Sequence, residues 1–332
     1  MRNILCVTLI ALLGGCTSTS VTEKYQDKRN DIINVKDKVI EFETGNVLIG
    51  SVSRLYMSNK CLLIADHKSV DKQIHIFNKN DFSYLTSIGN FGEGPEEITV
   101  MGCLAIDEAH HQLYVSDHAK QKIFSYDMDS VMVDSLYKPQ VKTAMNETLF
   151  PSEYQYINDT LSIAVLIKST STSTFNQFLG RWNMNTGEMI PMKYTHPDIQ
   201  KKRITFAASE KAGIYVECYT RHDLMTICSL DGELLYNIYG PDWDGGNGNK
   251  LQSFGTVMIG NDKIFVSYCG EDYARDSFPT KILVFDLEGN YLKTLETGYK
   301  ISDCCYDSFN NRIILSLNDV VQFAYLDIDG II

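Results

Sequence analysis

Two histidines, His67 and His118, are the side chains whose type and spacing could most readily do chemistry in this chain. Each directly follows an apolar stretch that ends in Asp, in the segments 62–66 and 113–117. Two imidazoles on one face could share a metal ion or contact an anionic ligand. The sequence offers no third ligand beside them, so we expect neither a metal site nor a cofactor.

Aromatic and charged residues in two later segments are the other candidates for ligand contacts. The second of these segments contains the stretch 270–279, which combines a tyrosine, an arginine and three acidic residues. Such side chains are enriched where proteins bind partners. The candidates are Tyr219, Arg221, His222, Tyr268, Tyr273 and Arg275.

Motifs of common catalytic centres do not occur in the sequence. There is no Gly-x-Ser-x-Gly elbow, no phosphate-binding loop and no His-Glu-x-x-His pair. The acidic stretch 92–97 lacks the alternating spacing of a calcium loop, so we interpret it as a turn with solvated carboxylates.

The elements that must position these residues repeat six times along the chain. Each copy has an apolar strand, a polar loop, a second strand and a tight turn rich in Asn, Asp and Gly. The copies start at Leu62, Leu113, Leu161, Ile214, Ile264 and Ile313. A period near 50 residues with several short strands per unit predicts an all-β fold, a six-bladed β-propeller with four-stranded antiparallel blades.

The sixth copy stops two residues after Gly330 and lacks a fourth strand. An unassigned strand-like segment, 38–43, lies at the other end of the chain. We therefore expect this N-terminal strand to close the last blade, which would hide two open sheet edges. In the second copy, the fourth strand is expected at 131–137.

Insertions distinguish the third and fifth copies. The extra residues fall between their second and third strands, at 169–175 and 270–279. In a propeller these loops lie on the same face as the connections between blades. Insertions that concentrate on one face predict that this face binds a partner.

The N-terminus predicts export. Arg2 precedes an apolar run from Ile4 to Leu13, which is typical of a secretory signal. The run ends in Leu13-Gly14-Gly15-Cys16, which resembles the lipobox of bacterial lipoproteins. The resemblance implies a signal peptide at 1–15, a lipidated Cys16 with a flexible tether over 16–34, and a propeller at 35–332. No acidic cluster follows Cys16, which favours the periplasmic face of the outer membrane over the cell surface.

Composition limits the possible partners. The chain carries a net charge of −12, which disfavours nucleic acid as a ligand because that requires clustered basic residues. Seven cysteines lie beyond Cys6 and Cys16, an odd and scattered set that argues against a disulfide framework. Cys218 and Cys228 lie on two arms of one expected hairpin, so a single bridge between them stays open.

The segment 113–127, LYVSDHAKQKIFSYD, resembles the NHL or TolB-like class of six-bladed propellers. The segment 88–98, IGNFGEGPEEI, resembles a blade connection in six-bladed propeller lipoproteins of Gram-negative gut anaerobes. The signature Asp of the class is present as Asp66 and Asp117. The other copies have Val165, Cys218, Tyr268 and Leu317 at that position. We therefore expect Asp66 and Asp117 to cap turns rather than to catalyse.

These features predict an envelope-anchored binding or scaffolding propeller. Its partner would be a protein, glycan or peptide on the insertion-bearing face, with the membrane reached through Cys16. The alternative is a channel-centred, metal-dependent hydrolase or lyase of the lactonase type. On the expected inner strands only Asp303 offers a carboxylate near the position of the calcium ligands in such enzymes, which is too few for a calcium cage.

Overall fold

Three short strands precede the ring in this computed structural model, which describes residues 22–332 apart from 135, 147, 172, 173, 247 and 249. Their bounds are β1 (Glu23–Tyr25), β2 (Ile32–Asn34) and β3 (Val39–Glu41), with a short 3-10 helix, Lys36–Lys38, before β3. The expected signal peptide and Cys16 lie outside the described residues.

Six sheets follow, numbered here as blades 1 to 6 in chain order. Blade 1 contains β4 (Ser53–Met57), β5 (Cys61–Asp66), β6 (Lys72–Asn78) and β7 (Tyr84–Asn90). Blade 2 contains β8 (Met101–Asp107), β9 (Gln112–Asp117), β10 (Lys122–Asp127), the helix α1 (Met128–Val131) and β11 (Gln140–Ala144). Blade 3 contains β12 (Leu149–Asn158), β13 (Leu161–Ser169), β14 (Phe175–Trp182) and β15 (Met189–Pro191).

Blades 4 to 6 complete the ring. Blade 4 contains β16 (Ile204–Ser209), β17 (Ile214–Tyr219), β18 (Leu224–Ser229) and β19 (Leu234–Tyr239). Blade 5 contains β20 (Leu251–Gly260), β21 (Lys263–Asp272), the 3-10 helix Tyr273–Arg275, β22 (Lys281–Asp286) and β23 (Tyr291–Glu296). Blade 6 contains β24 (Ile301–Asp307), β25 (Arg312–Leu317) and β26 (Phe323–Asp327).

The expected closure of the ring is confirmed. Strand β3 pairs antiparallel with β26, with Val39 opposite Leu326 and Glu41 opposite Ala324, so the N-terminal strand is the fourth strand of blade 6. Next to it, the ring of Phe42 stacks on Phe82 of blade 1 with 3.9 Å between centroids. The two ends of the ring are therefore joined both by a sheet and by packing.

The alternating directions of the side chains along each strand explain why the blades pack against one another. Six hydrophobic clusters form the described core, one at each interface between neighbouring blades. On β5, Leu63 faces blade 2, whereas Leu62 and Ile64 face blade 6. Both faces of each blade are apolar because successive side chains of a strand point to opposite faces of its sheet. A blade therefore requires neighbours on both sides.

The expected flexible tether is wrong for residues 22–34. Strand β1 pairs in parallel with β19, and β2 pairs in parallel with β23, so blades 4 and 5 each gain a fifth strand. Between these two strands Arg29 makes a buried ion pair with Asp223, 2.8 Å apart. The polar composition of this segment is explained by hydrogen bonds along the outer strands. We call residues 22–34 the strap.

Two further expectations are wrong. In blade 2 the Asp127 carboxylate accepts a hydrogen bond from the Ser130 N–H at 2.7 Å, which starts α1 where a strand was expected. The fourth strand is therefore β11 rather than 131–137. Cys218 and Cys228 are both free. Cys228 is opposite Tyr215, which lies three positions before Cys218 on the neighbouring strand. An odd offset places the two thiols on opposite faces of blade 4.

No helix within the described residues is long and apolar enough to cross a membrane.

Candidate functional site

The inner strands of the six blades surround a channel with a cavity of about 380 Å³. Near one end, five blades each contribute one polar side chain to its wall. We call this set the polar ring, and it consists of Arg54, Glu153, Thr205, Thr256 and Asp303. Further along the same strands the wall combines the apolar residues Met57, Ile106, Ile157 and Ile259 with the tyrosines Tyr56, Tyr156 and Tyr306. The channel therefore has a charged mouth and an uncharged far end.

An ion pair crosses the mouth. Arg54 of blade 1 donates to Glu153 of blade 3 at 3.1 Å, although blade 2 separates these two blades along the ring. Their side chains are 40% and 41% exposed, so water reaches both. Such an accessible pair contributes at most about 1 kcal/mol to folding. Each side chain can therefore give up part of this contact and form hydrogen bonds with a ligand instead.

Asp303 is the third charged group of the polar ring. Its carboxylate accepts the Leu55 N–H at 2.8 Å and the Thr256 hydroxyl at 2.6 Å. Burial raises the pKa of Asp303, while Arg54 and these hydrogen bonds partly counteract that rise. Both oxygens thus serve to hold the inner edges of blades 1 and 5.

Sequence inspection identified Asp303 and missed Arg54 and Glu153 as channel residues. Glu153 lies on the inner strand of blade 3, which begins at Leu149. Arg54 lies on the inner strand of blade 1. A lone charged residue among the apolar residues of an inner strand is the signal that could have revealed both.

His67 and His118 follow the second strands of blades 1 and 2, on the face that carries the mouth. Burial lowers the pKa of His67, and the positive charge of Arg54 adds to this effect. Burial also lowers the pKa of His118, against the opposing influence of Asp117 and Glu153. The charges of Arg54 and Glu153 thus influence the protonation of the two rings, and burial favours the neutral form of both.

The Nε2 atoms of His67 and His118 are buried and have no hydrogen-bond partner. The ring of His118 lies edge to face with Phe150, with 5.9 Å between centroids. A Cβ added to Gly102 would overlap His118 Nε2, so the glycine makes room for this ring. The structure therefore places both predicted histidines near the polar ring, but their Nε2 atoms are covered and neither ring lines the cavity.

Metal binding at the mouth does not fit the geometry. Among the described residues, the one group of three His, Cys, Asp or Glu ligand atoms within 4.8 Å of one another is Asp107, His110 and Asp159. Strand β8 runs from the mouth side towards Asp107, so this group lies on the opposite face. Neither His67 nor His118 belongs to it.

The pair of Asp107 and His110 in blade 2 has an equivalent in blade 6, where Asp307 is paired with Asn310, which needs no metal. His110 Nδ1 and Asp107 Oδ2 are 2.8 Å apart, and the same oxygen position in Asp307 accepts Asn310 Nδ2 at 2.7 Å. Both Asp residues also accept the backbone N–H of the same partner. The hydrogen bond to Asp107 raises the pKa of His110. This pairing thus stabilises a turn in blade 2 as it does in blade 6.

Blades 3 and 5 rise above the mouth. Strands β12 and β20 have 10 residues each, compared with 5 to 7 in the inner strands of the other blades. The additional residue pairs between the first and second strands lie at the mouth side, where Leu149 is opposite Lys168 and Leu251 is opposite Asp272. Three or four extra residues extend a strand by about 10 Å. The predicted loop insertions are therefore partly strand extensions.

The other predicted contact residues divide into buried and exposed ones. Tyr219, Tyr268 and His222 are buried, so the expectation that they contact a partner is wrong. The Tyr268 hydroxyl donates to Asp242 at 3.3 Å, and His222 packs against Trp243. These side chains were misjudged because the strap and the connection after blade 4 cover positions that appear as loops in the sequence.

Three predicted residues do form an accessible group on blade 5 and its neighbour. The guanidinium of Arg221 lies over the ring of Tyr273, and half of Tyr273 is exposed. Arg275 donates to Glu271 at 2.7 Å. This group, Arg221, Tyr273 and Arg275, is on the same face as the mouth, and we call it the blade 5 patch.

The signature aspartates cap turns, as expected. Asp66 accepts the N–H groups of Gly50 at 2.7 Å and Lys68 at 2.9 Å. Asp117 accepts the N–H of Thr99 at 2.8 Å and that of Ala119 at 3.0 Å. Each carboxylate therefore joins the connection that enters its blade to the loop after its second strand.

Comparison with known proteins supports the fold. Residues 17–219 match the model of a family described as DUF5128, 6-bladed beta-propeller. No curated protein matches the chain. A Bacteroides fragilis protein, provisionally named as exported, is similar in structure with a TM-score of 0.58 and 14% identity, over 89% of this chain and 87% of that one.

Two other solved structures are similar. A DUF4221 family member from Bacteroides vulgatus has a TM-score of 0.56 and 11% identity, over 90% of this chain and 98% of its own. A luciferin-regenerating enzyme has a TM-score of 0.57 and 8% identity, over 86% and 94%. At these identities the likeness establishes the fold, and the presence of an enzyme among these structures shows that the fold does not decide activity.

Proposed function

This chain belongs to the DUF5128 family of six-bladed β-propellers, and we propose that it is an envelope-anchored binding or scaffolding protein. Its partner is a protein, glycan or peptide that contacts the face bearing the channel mouth. The observation that carries the proposal is the shape of this face, where blades 3 and 5 rise about 10 Å above a polar, solvated mouth. A concave surface with a few convergent polar groups suits ligand binding.

The proposed anchor is a lipid on Cys16. The supporting observations are the apolar run before Cys16 and the similarity to a Bacteroides protein provisionally named as exported. The placement in the NHL or TolB-like class, and at the periplasmic face of the outer membrane, is part of the same proposal. Three acyl chains would hold the protein firmly, since one chain binds membranes only marginally.

The strap limits the distance between the proposed anchor and the propeller. Residues 22–34 are fixed to blades 4 and 5, so only 17–21 separate Cys16 from the ring. Five extended residues reach at most about 18 Å. The propeller of the proposed lipoprotein is therefore held close to the membrane instead of on a long tether.

The rival function, a channel-centred metal-dependent hydrolase or lyase, is not favoured. Arg54 contacts Glu153 and is within electrostatic reach of Asp303, so a cation bound to either carboxylate would experience its repulsion. The oxygens of Asp303 are already engaged by Leu55 and Thr256. Stoichiometric calcium or zinc in the purified protein, measured by elemental analysis, would contradict the binding function.

The anchor is tested with the full-length chain produced in a Gram-negative host. We expect metabolic labelling with a fatty acid and recovery in the outer-membrane fraction for the wild type. Cys16→Ser should lose both the label and the membrane association. Unlabelled wild-type protein in the soluble fraction would contradict the anchor without affecting the binding role.

The binding face is tested by partner capture from solubilised membranes. We expect Tyr273→Ala with Arg275→Ala to reduce capture by at least half, because these side chains are accessible on the blade 5 patch. Phe309→Ala is the matched control, since Phe309 is an exposed aromatic residue on the opposite face. Equal effects of the two variants would refute the choice of face.

A further inference from the structure

We propose that the channel mouth binds a neutral, hydroxyl-rich ligand of the saccharide class. This inference rests on the proposed binding function and deepens it by naming the ligand. The binding groups are the charged side chains of the ion pair, Arg54 and Glu153, which line the cavity and are accessible to water.

Neither a cation nor an anion finds an unopposed charge at the mouth. Arg54 is 3.1 Å from Glu153. Burial opposes the charge of Arg54, but Tyr56, Glu153 and Asp303 outweigh it and hold the pKa of Arg54 above its ordinary value. An anion that approached Arg54 would therefore meet two carboxylates. A cation that approached Glu153 would meet Arg54.

An accessible ion pair does offer both kinds of hydrogen bond to a neutral ligand. The guanidinium has several donors in a plane, and the carboxylate has several lone pairs. Hydroxyl groups both donate and accept, so neighbouring hydroxyls can bond to the two side chains at once. Hydrogen bonds to charged groups are stronger than those between neutral ones.

The two histidines lie behind the mouth. Their Nε2 atoms are buried without a hydrogen bond, and neither ring is among the residues that line the cavity. Since burial keeps both rings neutral, they add no charge to the mouth, and they support the wall beside the ion pair.

The shape of the mouth suits a ring-shaped ligand rather than a long chain. The cavity of about 380 Å³ is near the lower limit of small-molecule sites. Phe150, which contacts His118, lies on the extension of blade 3 and offers an apolar ring beside the polar groups. The far end of the channel has no charged side chain in its lining, so the strongest hydrogen-bond partners are at the mouth.

The inference is tested by saturation-transfer NMR with the mature protein and matched monosaccharides. The probes are neutral hexoses and N-acetylhexosamines, the corresponding uronates and the corresponding free aminosugars. We expect at least one neutral sugar to bind, and its charged counterparts to bind about tenfold more weakly because each places a charge beside a like one. Tighter binding of a uronate or an aminosugar would overturn the inference.

Variants locate the site. The double substitution Arg54→Gln with Glu153→Gln should reduce the affinity for the neutral sugar at least tenfold. The matched control, Arg181→Gln with Asp231→Asn, removes an ion pair whose arginine is also 40% exposed and should leave the affinity unchanged. An unchanged affinity in the first double variant would overturn the inference.

Gly102→Ala provides a second test that keeps every charge. Its new Cβ would overlap His118 Nε2 and Ser116 Oγ, so the histidine must move and binding should fall. Thermal unfolding of each variant confirms that it is folded. Absence of binding by every neutral sugar would overturn the inference, whereas loss of partner capture in the Tyr273 variant would still support the proposed function.

Discussion

Blades 6, 1 and 2 differ from blades 3, 4 and 5, although the same repeat encodes both halves. The first half has inner strands of 5 to 7 residues and is closed by β3. The second half has the two extended inner strands and carries both parallel strands of the strap. The regular half closes the ring and supplies the histidines, while the elaborated half gives the mouth its walls.

The comparison teaches that the N-terminal segment has two different roles. Strand β3 is required for a complete blade, because without it β26 would present an open edge. Strands β1 and β2 are additions to blades that are already complete. The contacts of β3 should therefore contribute more to the free energy of unfolding than most contacts of β1 and β2.

The largest expected effect is at the closure. Phe42→Ala should reduce the free energy of unfolding by about 4 kcal/mol, because Phe42 is buried and stacks on Phe82. Tyr25→Ala on the strap should cost less than about 1 kcal/mol, since Tyr25 is largely exposed and has a single stacked partner, Tyr239. Urea titration measures both, and similar losses would erase the distinction between the two roles.

Arg29 is the exception within the strap. Arg29→Met should reduce the free energy of unfolding by about 3 kcal/mol, because it leaves Asp223 buried without its cation. The Arg29 and Asp223 side chains are 7% and 0% exposed. Arg275→Met removes an ion pair whose arginine is 70% exposed and should cost less than about 1 kcal/mol.

A double variant checks the cause of the Arg29 effect. If the loss comes from the uncompensated carboxylate, Arg29→Met with Asp223→Asn should recover much of it, as measured by the same urea titration. Additive losses would show that packing of Arg29 against Phe254, Tyr268 and Phe285 is the main contribution instead.

Acidification should weaken blades 1 and 2 before blade 5. Burial lowers the pKa of His67, His75 and His118 in blades 1 and 2, and also that of His196, which contacts blade 4. The unfolded chain takes up protons at these positions as the pH falls below the ordinary value of 6.5, whereas the folded chain resists. The stability from neutral histidines is therefore present above pH 6.5 and is lost below it.

Hydrogen exchange at pH 7.5 and 5.5 measures this effect blade by blade. We expect the gain in exchange, after correction for intrinsic rates, to be larger in blades 1 and 2 than in blade 5, where no histidine is present. His75→Gln should reduce the gain in blade 1. A uniform response of all blades would show that the ring opens as one unit.

The smallest expected effect is at His110. His110→Asn should change the free energy of unfolding by less than about 0.5 kcal/mol, because Asn310 makes the same hydrogen bond to Asp307 in blade 6. Elemental analysis of the same variant addresses the group of Asp107, His110 and Asp159. A metal lost on this substitution would show that the turn in blade 2 has a function that blade 6 lacks.

Much of the fold followed from the repeat. The number of blades, the antiparallel order and the closure by the N-terminal strand were all predicted, because period-two apolar strands can be buried only between neighbours. Asp66 and Asp117 were predicted to cap turns, since local hydrogen bonds depend on residues close in sequence. The strap was not predicted, as its strands pair with residues more than 200 positions away.

The candidate site was predicted only in part. His67 and His118 were recognised because they occupy the same position in adjacent copies. Arg54 and Glu153 are 99 residues apart, and nothing local in the sequence indicates that they meet. Tyr219, Tyr268 and His222 were taken for surface residues because the segments that cover them belong to other parts of the chain.

By itself, the sequence determined the architecture of this protein: six blades, their spacing and the truncated copy that requires a strand from the other end. These features depend on side-chain periodicity and turn chemistry, which act over a few residues. Only the tertiary structure decided which charged residues face each other across the channel and which loops remain exposed. Those outcomes depend on how six similar sheets close into a ring, which brings residues together that the chain keeps far apart.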